Sequence, residues 1–133
     1  MPTISRFYFG MAILFLISGI TLGLAMAISQ DHSLAPVHAH INLLGWVTSA
    51  LFGGYYALNP QKAQGWLPRI QCAVFTIGLL VMLPTLYYLY TGHPEIEPVL
   101  GGGSMAVALG VVLFAAVVFT RGRGAAAVLQ PAE

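Results

Sequence analysis

An all-α integral membrane bundle of four transmembrane helices is the fold class this sequence predicts. Three observations predict it. The 133 residues are 58% hydrophobic and only 7% charged, whereas soluble domains carry about a quarter charged residues. Four apolar segments reach the ~20 residues that a helix needs to cross a bilayer. The breaks between them carry turn signals, "SQDHSLAP", "NPQKAQG" and "TGHPEIEP", and "RGRG" follows the last. A chain of this length suits a single domain, here residues 1–133. Mean hydropathy is +0.83.

The first span is Phe7–Ile28. Its basic flank is the single Arg6, and the apolar run exceeds a signal-peptide core, so it is expected to remain as a helix. Gly19, Gly23 and Ala27 follow at four-residue steps and make a small-residue seam. The second span covers about residues 37–58. The third covers about 66–90 and contains Pro84, which removes one helical hydrogen bond and predicts a kink. The fourth covers about 99–120, with Gly102, Ala106 and Gly110 as a second seam. Either seam suits the bundle interior or another copy of the chain. Trp66, Tyr55, Tyr56, Tyr87, Tyr88 and Tyr90 lie near span ends, where interfacial anchors belong.

Charge placement sets the direction. Arg6, Lys62, Arg69, Arg121 and Arg123 all fall on one side of the predicted spans, while Asp31, Glu95 and Glu97 occupy the first and third connections. The positive-inside rule places both termini in the cytoplasm of a bacterial inner-membrane, multi-pass protein. His32, His38, His40 and His93 then share the periplasmic or exterior surface. A net charge of +1 with no basic cluster argues against nucleic acid as a partner. The one cysteine, Cys72, rules out an intramolecular disulfide. Within the spans there is no nucleophile–base pair, phosphate loop or carboxylate pair of the kind enzymes use.

Chemistry concentrates in "PVHAHINLLGW", residues 36–46. At helical period one face of the second span carries His38, Asn42, Gly45, Ser49, Gly53 and Tyr56, all polar or small. The other carries Leu44, Val47, Leu51 and Leu58. His38 and His40 are two residues apart, about 200° on a regular helix, so they cannot chelate one ion together from a regular helix. Asn42 lies one turn from His38, close enough to orient it. Three readings of such a histidine stay open. It can ligate a cofactor or metal, bond a backbone carbonyl at the interface, or titrate as a proton relay.

The stretch "PVHAHINLLGWVTSALFGGYYALNP", residues 36–60, resembles the second-helix motif of small four-helix membrane proteins of the heme-copper oxidase subunit I-like superfamily, often described as C-type cytochrome oxidase subunit I-like. The shared pattern is His-x-His, Asn-Leu-Leu-Gly-Trp, Gly-x-Tyr-Tyr and a closing Pro. The "HAH" opening also has a looser likeness to membrane proteins linked to heme and nitric oxide. In full-length oxidases a second-helix histidine near the outer surface ligates the low-spin heme. The resemblance therefore implies heme b held by His38 or His40, with His38 favoured because Gly45, Ser49 and Gly53 leave room on its face. Asn42, Trp46 and Phe52 would lie beside the macrocycle. The helices that carry the remaining oxidase ligands have no counterpart here, so a complete oxygen-reducing centre is not expected. A second axial ligand would come from His93, the other histidine of the pair, Met105 or another copy. The expected function is electron transfer or the sensing or handling of a diatomic gas, NO or O2, in a homo-oligomer with a possible respiratory-chain partner. Two alternatives stand beside it. One is a non-catalytic accessory or assembly subunit of a respiratory complex. The other is a copper-binding membrane protein using His38, His40 and His93, with His32 and Met105 in support.

Overall fold

The computed structural model describes residues 1–120. Its order is α1 (Thr3–Ser29), α2 (Ala35–His40), a π-helical segment (Ile41–Thr48), α3 (Ser49–Leu58), α4 (Leu67–Tyr90) and α5 (Glu97–Phe119), with short 3-10 turns at Pro60–Ala63 and Pro94–Ile96. There is no strand among the described residues. Proline occupies one of the first two positions of α2, α4 and α5. There its missing N–H has no helical partner to lose and its fixed φ suits the first turn. Turns between helices use left-handed backbone at Gln30 (φ 59°) and Gly92 (φ 97°). The predicted "RGRG" stop, with Arg121 and Arg123, lies outside the described residues.

Among the described residues, three helices are long and apolar enough to cross a membrane: Thr3–Ser29, Leu67–Tyr90 and the stretch Pro94–Phe119. These match three of the four predicted spans. The fourth predicted span, about residues 37–58, is built differently. Here α2, the π segment and α3 join head to tail, with right-handed helical backbone at Ile41 (φ −57°, ψ −47°) and Ser49 (φ −64°, ψ −41°). The rod is continuous, but each piece is shorter than a span. Two hydroxyls fit the wider turn: Thr48 Oγ1 donates to the Leu43 carbonyl and Ser49 Oγ to the Leu44 carbonyl, both five residues back. The wider turn also rotates side chains relative to a regular helix. Leu44, predicted on the outer face, packs against the core instead, while Leu51 and Leu58 remain exposed.

Two antiparallel helix pairs make the body. In the first, α1 runs against the second rod, with Ser5 Oγ donating to the Gly53 carbonyl at 2.7 Å. A methyl group built on Gly45 would meet Phe15 at 2.6 Å. In the second, α4 and α5 interlock through three glycines. A Cβ on Gly78 would fall 2.7 Å from the Val107 backbone nitrogen, one on Gly103 2.8 Å from the Met82 nitrogen, and one on Gly110 2.7 Å from Phe75 Cβ. The fourth-span seam is therefore one residue off the predicted register. Gly110 belongs to it, Gly103 replaces Gly102, and Gly102 has open space where its Cβ would stand. Two turns of helix take about seven residues, so Gly103 and Gly110 share one face. Helix α4 continues through Pro84, which sits exposed near its C-terminal end.

A buried polar node ties all four rods together. Tyr8 of α1 and Tyr56 of α3 each donate their phenolic hydrogen to Gln71 Oε1 at 3.0 Å. Gln71 Nε2 donates to the Gly110 carbonyl of α5 at 3.3 Å. Tyr8, Tyr56 and Gln71 are fully buried. Tyr56 is thus not the interfacial anchor its position in the sequence suggested. Its hydroxyl finds a buried amide, whereas Trp66, Tyr87, Tyr88 and Tyr90 are exposed. At the same end of the bundle, Lys62 Nζ donates to the carbonyls of Val117, Val118 and Thr120. It satisfies the last turn of α5 with a positive charge, where the helix dipole favours one.

Candidate functional site

The α1–α2 and α4–α5 turns lie at the opposite end of the bundle from Lys62 and Gln71. One cavity of about 290 Å³ fixes this, since Val37 and Ile41 at the start of the second rod line it together with Leu83 and Tyr87 from the end of α4. His32, His38, His40 and His93 consequently share one end. Arg6, Lys62 and Arg69 share the other.

His38 faces α1. A Cβ added at Gly23 would come within 2.9 Å of His38 Cε1, and one at Gly19 within 2.5 Å of Asn42 Oδ1. Gly19 and Gly23 of the first predicted seam are therefore spent inside the chain, as a cradle for the His38 imidazole and the Asn42 amide, while Ala27 is exposed. Asn42 Nδ2 donates to the His38 carbonyl at 2.9 Å and lies 3.3 and 3.4 Å from the two ring nitrogens. Only the carbonyl contact has the length of a strong hydrogen bond. The imidazole is half-buried between Gly23 and Asn42.

The rest of the predicted stripe is also covered. Gly45 and Ser49 are buried. Gly53 would meet Tyr8 Cβ at 3.2 Å and the Ser5 carbonyl at 3.3 Å if it carried a Cβ. Helix α1 fills the groove that these small residues leave. The reason is general: without water to drive helices together, close backbone approach is what holds them in lipid. A macrocycle does not fit on the Gly45–Ser49–Gly53 face of a single chain. Phe52, expected to flank it, stacks on Phe114 with ring centres 4.0 Å apart.

His40 is disposed differently. It is exposed, and its Nδ1 lies 2.7 Å from the Pro36 carbonyl oxygen. A carbonyl only accepts, so Nδ1 carries the hydrogen and, in the neutral ring, Nε2 carries the lone pair. Metal-binding histidines are commonly prepared in this way, with one ring nitrogen donating to a carbonyl and the other left to ligate. The donor chemistry at His40 therefore fits an iron or copper ligand. Leu43 and Trp46, also exposed, follow it along the outer surface of the rod.

The remaining candidates stand apart. His93 Nδ1 lies 3.2 Å from Glu95 Oε1, and its ring meets Tyr88 edge-on at 5.7 Å. Both groups are exposed. Glu95 is held below the usual carboxylate range, first by its own backbone N–H and then by His93. Asp31 is likewise lowered, by the backbone N–H and hydroxyl of Ser33. His32 Nδ1 lies 3.2 Å from the Gln30 carbonyl. Met105 is 75% exposed on α5. Among the described residues no three His, Cys, Asp or Glu side chains converge as a metal-holding group. His38, His40 and His93 do not form one site within the chain.

Sequence reasoning missed Gln71. A lone glutamine in a span is a polar-group signal, but its two tyrosine partners are 63 and 15 residues away. No protein-family model, curated protein or solved structure matches this chain.

Proposed function

We propose that this protein is a four-span bacterial inner-membrane protein that ligates heme b at its outward-facing, histidine-bearing end, in electron transfer or in handling NO or O2. The single observation that carries the reading is the exposed His40 ring. Its Nδ1–H is committed to the Pro36 carbonyl, which leaves Nε2 outward. The resemblance of residues 36–60 to the heme-ligating helix of oxidase subunit I points to the same short stretch. His38, the favoured ligand on sequence grounds, instead orders the α1 contact through Gly23.

One chain offers His40 no second axial ligand within the described residues. We assign that position to His40 of a second copy. Two-fold pairing would bring identical imidazoles to opposite faces of one heme, since a two-fold interface places the same residue on both sides. Six-coordinate ligation of this kind suits electron transfer, and an open position suits gas binding.

The test is the absorption spectrum of purified, heme-supplemented protein, oxidised and reduced, alongside its metal content. Wild type and His38→Ala are expected to show a Soret band that His40→Ala loses. Loss in His38→Ala with retention in His40→Ala would move the ligand back to the inner ring. No Soret band in any form would refute the heme reading. Stoichiometric copper in its place would support the copper alternative.

A further inference from the structure

A groove of about 390 Å³ runs along the outside of the bundle between α1 and α4, at the end opposite the histidines. Ile4 and Phe7 form one wall, Ala73 and Ile77 the other, and Thr3 and Arg69 stand at its mouth. Cys72 and Thr76 are the polar groups along its length. Arg69 is exposed, and among the described residues it has no hydrogen-bond or ion-pair partner. An open apolar channel with one unmatched guanidinium at its end has the chemistry of an amphiphile with an anionic head.

We propose that this groove binds one anionic phospholipid of the cytoplasmic leaflet. The inference rests on the four-span orientation proposed above. One acyl chain lies between Ile4–Phe7 and Ala73–Ile77, and the phosphate meets Arg69. Arginine suits that role, because its planar fork presents paired donors to phosphate oxygens. Basic pockets between spans on the cytoplasmic side are a general form of anionic headgroup site. The volume lies within the range of small-molecule sites. The site needs nothing from the histidine end.

Native mass spectrometry of the full chain in mild detergent, titrated with phosphatidylglycerol or phosphatidylcholine, tests the proposal. One basic residue at an anionic surface contributes ~1 kcal/mol, which corresponds to about a fivefold tighter Kd for the anionic lipid. Wild type is expected to show that preference at one site. Arg69→Gln should equalise the two lipids. Ala73→Phe should fill the groove and abolish retention of both with every charge intact. Ala73 is exposed, so the added ring does not disturb the core. Equal affinity for the two lipids in wild type would overturn the proposal. So would wild-type retention in Ala73→Phe, which would mean diffuse attraction to a basic surface. Reporter fusions at the C-terminus and in the turn near Gly92 test the underlying orientation separately: a cytoplasmic C-terminus and an exterior turn support it, and the reverse would refute it.

Discussion

Replacing Gln71 by leucine removes the amide that connects all four helical rods. Three hydrogen bonds disappear at once: the two phenols lose their shared acceptor and the Gly110 carbonyl loses its donor. Side-chain hydrogen bonds in membrane proteins average ~0.6 kcal/mol by double-mutant cycle, so the bonds alone account for about 2 kcal/mol. Tyr8 and Tyr56 are fully buried, and water does not reach the hydroxyls that are left. An orphaned buried hydroxyl costs about 1–3 kcal/mol. The expected destabilisation is therefore about 4 kcal/mol. About half of that loss comes from the two unmatched hydroxyls, so removing them should relieve that part. The triple variant Tyr8→Phe, Tyr56→Phe, Gln71→Leu keeps the ring packing and should regain at least ~1 kcal/mol over Gln71→Leu, because deleting all the partners of a bond costs less than deleting one. Reversible unfolding in mixed micelles, followed by circular dichroism, measures both. A Gln71→Leu loss below ~0.5 kcal/mol would refute the reasoning, and so would a triple variant no more stable than the single one.

Other perturbations separate the remaining parts of the structure. Gly110→Ala is expected to destabilise by about 1–3 kcal/mol, since its Cβ would fall on Phe75 Cα and Cβ and the helices must part. Gly102→Ala, whose Cβ would stand in open space, should be neutral or slightly stabilising in the same unfolding assay. At the histidine end, His40→Ala should abolish the Soret band of the heme-loaded protein while leaving its melting temperature without heme close to wild type, because the ring is exposed. In carboxylate-detected NMR titration, Glu95 should protonate below the ordinary glutamate range, since its two largest causes, its own backbone N–H and then His93, favour the charged form. His93→Ala should raise that midpoint only part of the way, because the backbone N–H remains. The sign follows: any stability from this lowered carboxylate is present above its unfolded pKa and fades as pH falls through the folded one.

Helix class and approximate boundaries were legible in the chain because apolar length and turn residues are local signals. Phe7–Ile28 became α1, Trp66–Tyr90 became α4, and Val99–Thr120 became α5, each within a few residues. The division of charge was legible for the same reason, with basic residues in one set of connections and histidines in the other. Partnership was not legible. Gly19 and Gly23 read as a seam, but only packing decided that His38 and Asn42 occupy it and that the macrocycle's expected place belongs to α1. The π segment depends on which carbonyl each N–H reaches, and no periodic pattern in residues 41–48 announces that choice. It turned Leu44 inward. Gln71 with Tyr8 and Tyr56 joins residues distant along the chain, and no local pattern encodes such a meeting. The sequence by itself determined that this protein is made of long apolar helices with its imidazoles gathered at one end. Tertiary structure decided which imidazole is enclosed and which is presented, because that depends on the backbone that lies across each face.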